Sequence, residues 1–262
     1  MKKLLSIILV LAMIVLSCTA CSGSGNVTAE TIKKKGQLVI ASSPDFPPFE
    51  ELKSSGAVEG IEIDIMNLLC QDLGVELKIE QMDFDSVLPG IQAGKYDVGV
   101  SGISVTDQRK KNVLFTDPYC LAAQAIVVTK DSPIKSKADL AGKTVSVQTG
   151  TTAESFCMAE GYNVNSYQAN SDAENAVLQG KVDAWVIDDL TAADMVKVYN
   201  ADNGEELIIL PDAMTTEPYA FALKFGSEEL VETLNASLKK LVEDGTIAEI
   251  FKKYDAPYTA PF

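Results

Sequence analysis

Histidine is missing from the sequence altogether. That excludes every mechanism resting on an imidazole base or a histidine metal ligand. Basic residues are also scarce: 22 Lys and Arg stand against 37 Asp and Glu, for a formal net charge of −15 and a pI near 4.4. Nucleic acid needs Lys and Arg to displace its counterions, so it is excluded as a main partner. Cysteines number five, and only Cys70, Cys120 and Cys157 lie beyond the N-terminal segment. An odd count is no disulfide framework, and no metal-ligand spacing appears. Cys70 sits in a helical apolar pattern, nothing in the spacing supports a Cys120–Cys157 bridge, and buried thiols are expected. What remains is 262 residues, 47% hydrophobic and 23% charged, with mean hydropathy +0.10. This describes a folded globular chain of one large or two smaller domains, neither disordered nor polytopic.

The N-terminus reads as an address. Lys2 and Lys3 precede an apolar run over residues 4–16 broken only by Ser6. This is a secretory n-region and h-region, short for a membrane span. Thr19-Ala20-Cys21 resembles the bacterial lipobox, whose cysteine is acylated and becomes the mature N-terminus. Cys18 stands where that motif usually has Leu, and Leu16 two positions before Cys18 makes Cys18 the weaker candidate. The expected plan is a signal peptide over 1–20 and a lipid-anchored flexible tether over 21–36, opening with Ser22-Gly23-Ser24-Gly25.

From Gln37 onward, short β-branched runs alternate with amphipathic stretches, the pattern of α/β architecture. Strands are predicted over 38–40, 75–79, 97–100, 125–129, 144–148 and 184–187. Ile61, Ile65, Leu68, Leu69 and Leu73 recur at helical spacing before Gly74, and a short helix is predicted over 85–93. Two C-terminal helices carry Leu230, Leu234, Leu238 and then Ile247, Ile250, Phe251. Gly94-Lys95-Tyr96-Asp97 echoes Gly180-Lys181-Val182-Asp183, each ending a helix and opening a strand. Two similarly wound lobes follow from that echo. Open α/β sheets bind ligands at strand C-terminal ends, so the loops after Val100 and Ile187 are expected to face one cleft.

Those loops carry the candidate chemistry. Thr106 and Asp107 predict a helix start, where Ser104, Arg109 and free N–H groups would receive a carboxylate or phosphate. The same residues also describe a surface arginine on an ordinary helix. Thr151 with Glu154 fits a capping box at a second helix start, with or without a ligand. Asp188 ends an apolar strand and suits an ammonium group. Asp189 points the opposite way, does not pair with it, and is expected to cap the helix near Leu190. Phe46, Phe84 and Tyr119 sit near strand ends, where aromatics clamp ligands, whereas Phe49 reads as core.

The order and spacing of several motifs resemble a known family. They are Pro44-Asp45-Phe46-Pro47-Pro48-Phe49-Glu50, Gly60-Ile61-Glu62-Ile63-Asp64 and Met82-Asp83-Phe84-Asp85. Ser101 to Lys111, Phe115-Thr116-Asp117-Pro118-Tyr119, Gln148-Thr149-Gly150-Thr151-Thr152 and Val182-Asp183-Ala184 with Asp188 complete the set. Over nearly its full mature length the chain resembles the bacterial extracellular solute-binding proteins of the polar amino-acid type, receptors of ABC importers. The resemblance implies a two-lobed periplasmic-binding-protein-like α/β fold with two crossover hinge segments, near 122–125 and 217–221, and a ligand cleft between lobes. Lobe 1 is then 37–122 plus 220–262, and lobe 2 is 123–219. It further implies Arg109 on the ligand α-carboxylate, assisted by Ser104 and the backbone near Thr152. Asp188 and the Gly102 carbonyl take the α-ammonium, Phe46 and Phe84 line the side-chain pocket, and Ser43 and Gln148 choose among side chains. Serine at 43 replaces the aspartate of basic amino-acid receptors, so a polar uncharged L-amino acid is favoured over a basic one. Cys120 and Glu62 also depart from the family pattern, away from its main ligand contacts.

The resulting expectation is a monomeric, non-enzymatic receptor. It has no cofactor or metal, is anchored outside the cytoplasm by lipid on Cys21, and delivers a free amino acid to an ABC permease. Two rivals remain: an enzyme on the same fold, resembling cyclohexadienyl or arogenate dehydratases, and the sensing module of a signalling system.

Overall fold

In a computed structural model, residues 26–211 and 214–261 are described. The expected signal peptide and acylated Cys21 lie outside the described residues. The first element is helix α1, Ala29–Lys35, which Thr28 caps together with Thr31 and which Gly36 ends in the left-handed conformation. Its buried Ile32 packs on the first lobe, so the stretch expected as tether to residue 36 is ordered from 29 on. An apolar residue on one face of a short capped helix suffices to dock it.

Two five-stranded sheets form the two lobes. In the first, β1 (Gln37–Ser42) lies parallel to β5 (Glu76–Gln81) and β6 (Val98–Gly99). The short β2 (Asp45–Phe46), β3 (Glu50–Leu52) and β4 (Val58–Glu59) form a separate antiparallel sheet beside it. Helix α2 (Ile61–Leu73) follows, with Gly74 as its left-handed stop, and helix α3 (Phe84–Gln92) precedes β6. The chain crosses to the second lobe after β7 (Leu114–Phe115) through β8 (Cys120–Ala122).

The second sheet repeats the plan. After β9 (Gln124–Thr129), β10 (Thr144–Gln148) runs parallel to β11 (Asn163–Tyr167) and β12 (Ala184–Asp188). Helices α4 (Thr152–Ala159), α5 (Asn170–Leu178) and α6 (Asp189–Asn203) alternate with these strands. Antiparallel β13 (Leu207–Ile209) pairs with β9 at the sheet edge. The return crossover β14 (Glu217–Tyr219) pairs with β8 as a ladder of its own, Ala122 opposite Glu217 and Cys120 opposite Tyr219. The chain then re-enters the first sheet as β15 (Ala222–Leu223) and ends in helices α7 (Glu228–Glu243) and α8 (Thr246–Lys253).

Helices cover both faces of each sheet, which is why the central strands read as continuous apolar runs. Along β12, Trp185 and Ile187 enter the cluster under α5 and α6, while Ala184 and Val186 enter the one under α4. In the first lobe Leu38 and Ile40 face α2, α7 and α8, and Ala41 faces α3. The sequence echo is a shared joint. The Asp97 side chain accepts from Val39 N–H at 2.7 Å while the Asp97 N–H donates to the Val39 carbonyl at 2.9 Å. Asp183 does the same with Thr144, both at 2.8 Å. Cys70, Cys120 and Cys157 are free and buried.

Candidate functional site

The loops after β6 and β12 meet across one cleft of about 360 Å³, counted to its open mouth. Of the nine residues expected to touch ligand, eight line it: Phe46, Phe84, Gly102, Ser104, Arg109, Gln148, Thr152 and Asp188.

The helix expected to start at Thr106 and Asp107 does not form. Arg109–Lys111 is a single 3₁₀ turn, because Val113 is already buried against α3 and β7 starts at Leu114. The cap survives without the helix: Thr106 Oγ1 accepts from Arg109 N–H at 3.1 Å. The guanidinium donates to the Ser104 carbonyl at 2.9 Å and, across the cleft, to the Gly150 carbonyl at 3.2 Å. It lies 5.5 Å from the centre of the Phe84 ring and makes no ion pair among the described residues. Burial pulls its pKa down, and Glu217 and Asp188 oppose that shift.

Asp188 ends β12, buried, and accepts hydrogen bonds from Tyr219 Oη and Gln124 Nε2. Burial, then the neighbouring Glu217, hold its carboxyl well above the usual carboxylate range. Asp188 is itself the N-cap residue of α6, one position earlier than expected. Asp189 turns away as predicted and accepts from Ala123 N–H at 3.1 Å and Leu190 N–H at 2.9 Å. The expected capping box at α4 is half formed. Thr151 accepts from Glu154 N–H, but the Glu154 carboxylate reaches one residue further back to Gly150 N–H at 2.8 Å.

Below these groups the crossover strands supply a polar floor that sequence reasoning missed. Glu217 accepts from Thr152 Oγ1 at 2.7 Å, Thr215 Oγ1 at 2.9 Å and Gln124 Nε2 at 3.1 Å. Ser104 Oγ and Thr152 Oγ1, 3.4 Å apart, join the lobes. Glu217 and Tyr219 share a strand face by the two-residue period, the one signal that would have singled them out.

Gly102 shapes the wall of the first lobe. Its φ is 53°, and a Cβ there would stand 2.5 Å from the Phe46 ring, a place only glycine fills. Its N–H donates to Glu62 Oε2 at 2.9 Å, and Tyr119 Oη donates to Glu62 Oε1 at 2.6 Å. Ser101 Oγ donates to Glu50 Oε1 at 3.0 Å. Burial and the nearby Glu62 raise the Glu50 carboxyl well above its ordinary value. Glu50 and Glu62 thus hold the loop from behind rather than touching ligand.

Ser43 is the expected site residue that does not line the cleft. Its hydroxyl turns to Asp45 Oδ1 at 3.0 Å, because a half-buried carboxylate beside it demands donors. Asp45 also receives Gln148 Nε2 at 3.1 Å and Asn170 N–H at 2.9 Å from the second lobe. Gln148 Oε1 accepts from Asn170 Nδ2 at 3.2 Å. Asn170, at the start of α5, lines the cleft beside Ser101, Val186 and Ile187, and nothing but its place after a strand end pointed to it. Among the described residues no group is arranged to hold a metal ion and no helix is long and apolar enough to cross a membrane.

Comparison with known proteins agrees with this geometry. Residues 38–256 match the family described as bacterial extracellular solute-binding proteins, family 3. The arginine-binding extracellular protein ArtP of Bacillus subtilis (strain 168) is 33% identical over 97% of this chain and 98% of its own. A crystal structure of the P235GK mutant of ArgBP from T. maritima superposes with TM-score 0.81 at 36% identity, over 87% of this chain and 99% of that one. The ancestral amino acid-binding protein AncCDT-1, a precursor of cyclohexadienyl dehydratase, superposes with TM-score 0.79 at 34% identity, over 86% and 98%.

Proposed function

The chain belongs to the bacterial extracellular solute-binding proteins of family 3, and from that premise we propose that it binds a free, polar, uncharged L-amino acid between its lobes. It then delivers that ligand to an ABC importer permease. One observation carries the choice of ligand. The cleft is lined by one basic side chain, Arg109, and one carboxyl, Asp188, and every other lining residue is neutral. A zwitterion matches that pair, with its carboxylate on Arg109 and its ammonium on Asp188. Phe46 and Phe84 flank the aliphatic part, and Gln148 and Asn170 offer amide groups to a polar end.

Calorimetric competition among glutamine, serine, cystine, lysine, arginine and histidine tests this reading. Tight binding of a neutral polar member supports it, and preference for lysine or arginine overturns it. Asp45 favours that second, basic reading: its carboxylate stands one side chain behind the cleft, against Gln148, and the relatives above carry arginine in their names.

An enzyme reading requires a general acid beside a leaving group. Asp188 is instead engaged by Tyr219 and Gln124, which supports binding without turnover. Product absorbance on incubation with prephenate or arogenate would overturn this. The receptor acts outside the cytoplasm as a monomer, anchored by acyl chains such as palmitate on Cys21. Cys21→Ser is expected to move it from the membrane to the soluble fraction. Release by Cys18→Ser alone reassigns the acylated residue.

A further inference from the structure

Asp45 belongs to the first lobe, yet the partners that fill its carboxylate come largely from the second. It is absent from the ligand cleft lining and faces a separate interlobe groove, together with Glu51, Glu174 and Asp194. Its two oxygens take Ser43 Oγ, Gln148 Nε2 and Asn170 N–H, which leaves little accepting capacity. Asn170 N–H is the first amide of α5, and the N-cap residue of that helix is Ala169, which has no side-chain acceptor. A helix start leaves amide donors unpaired and favours a nearby negative charge. The other lobe supplies that charge.

We propose that Asp45 is the interlobe clasp of this receptor: it caps helix α5 of the second lobe in trans when the cleft closes, and fixes the Gln148 amide in the same movement. The clasp rests on the amino-acid-binding reading only for its effect on affinity. Opening the cleft strips α5 of its cap and withdraws one hydrogen bond from Gln148, so the contact favours the closed form. Within the second lobe the Gln148 amide keeps the Gln168 carbonyl at 3.0 Å and Asn170 Nδ2 at 3.2 Å. The benefit is the same for every ligand, because Asp45 touches none of them.

Asn170→Pro is the sharpest probe. It deletes the amide donor and the Asn170 side chain, while proline suits a first helical position. The preceding Ala169 has ψ 143°, the extended conformation a following proline requires. Asn170→Ala keeps the amide donor and serves as its companion. By calorimetry with glutamine and arginine, Asp45→Asn is expected to weaken whichever of the two amino acids bind by a similar, roughly tenfold factor, and Asn170→Pro, which also removes a cleft side chain, by at least as much. Asn170→Ala should lose less than Asn170→Pro. Far-UV circular dichroism verifies that α5 still folds in each variant. A loss in Asp45→Asn confined to arginine would make Asp45 a ligand contact and overturn the clasp, as would an unchanged affinity for both. With no amino acid added, hydrogen exchange of the peptide spanning 168–175 is expected to speed up in Asp45→Asn. Equal exchange rates overturn the clasp even if the wild type binds no amino acid, an outcome that by itself would refute only the receptor reading.

Discussion

The two lobes are built on one plan and finished differently. In each, an aspartate after a Gly-Lys-X stretch, Asp97 or Asp183, locks the incoming strand to its neighbour by the same two hydrogen bonds, one accepted by its carboxylate and one donated by its backbone N–H. Beyond that joint they diverge. In the first lobe β6 is only two residues long and gives way to a loop whose glycine, serine and 3₁₀ turn bring Arg109 to the cleft. In the second, β12 continues to its last residue, Asp188, and enters α6 at once. The scaffold is common, and the charge is set by how each strand ends. On the proposed reading the two charges of an α-amino acid are read by opposite lobes, so occupancy favours closure.

The largest expected effect comes from removing the charge of the first lobe. Losing one member of a desolvated charge pair costs on the order of 3–5 kcal/mol. Arg109→Ala should therefore weaken amino-acid binding by roughly two to three orders of magnitude, and a loss below tenfold by calorimetry would take Arg109 out of the ligand contact.

Its counterpart in the second lobe is predicted to show a pH signature. Burial, then Glu217, raise the Asp188 carboxyl in the free protein, so it keeps its proton to higher pH than an ordinary carboxylate. Wherever it is protonated, the ligand ammonium must displace that proton. Binding then releases a proton, and affinity falls as the pH is lowered, approaching about tenfold per pH unit below the pKa of the free protein. Asp188→Asn should flatten that slope. Calorimetry in buffers of different ionisation enthalpy counts the proton, and a flat wild-type profile would contradict the assignment.

A third contrast concerns backbone. Gly180, at the shared joint, has φ 66° and open space around it, whereas Gly102 has φ 53° with Phe46 in the way. Alanine at 180 meets only the left-handed penalty of about 1–2 kcal/mol. Alanine at 102 must also displace the Phe46 ring, so by urea melts Gly102→Ala should be the more destabilising and should weaken binding as well. Equal costs would show that the loop of the first lobe is not shaped by that contact.

How far the sequence could be read follows the same division. Strands β1, β5, β6, β9, β10 and β12, the helix stop at Gly74 and the echo at Asp97 and Asp183 are legible, because periodicity and turn chemistry are local, whereas β11 and the remaining short strands are not. Asp188, at the end of an apolar run, is legible too. The helix after Thr106 was overcalled, since a cap signal says nothing about the buried Val113 that ends the turn. Ser43 was misplaced because its partner, Asp45, is drawn to residues more than a hundred positions away. Glu217 and Tyr219 reach the floor through the crossover ladder and Gln124 through its antiparallel pairing with Asp188, long-range pairings that no local pattern announces.

The smallest effect lies in the interlobe groove, on the side of the second lobe. Burial pushes the Glu174 carboxyl up to about 7 from 4.5, and its Oε1 has no partner among the described residues. The folded state then holds that proton more tightly than the unfolded chain, so its stability declines as pH rises from 4.5 through about 7. Glu174→Gln removes the ionisation and should melt slightly higher than wild type at pH 8 and equally at pH 4.

The division of the ligand's charges between the lobes is tested most directly by a cycle pairing Asp188→Asn with a ligand analogue that lacks the α-amino group. If Asp188 reads the ammonium, the double change costs little more than either single change, with a coupling energy of about 0.5–3 kcal/mol. If the two losses simply add, Asp188 does not meet the ammonium, and the ligand is not shared between the lobes as described.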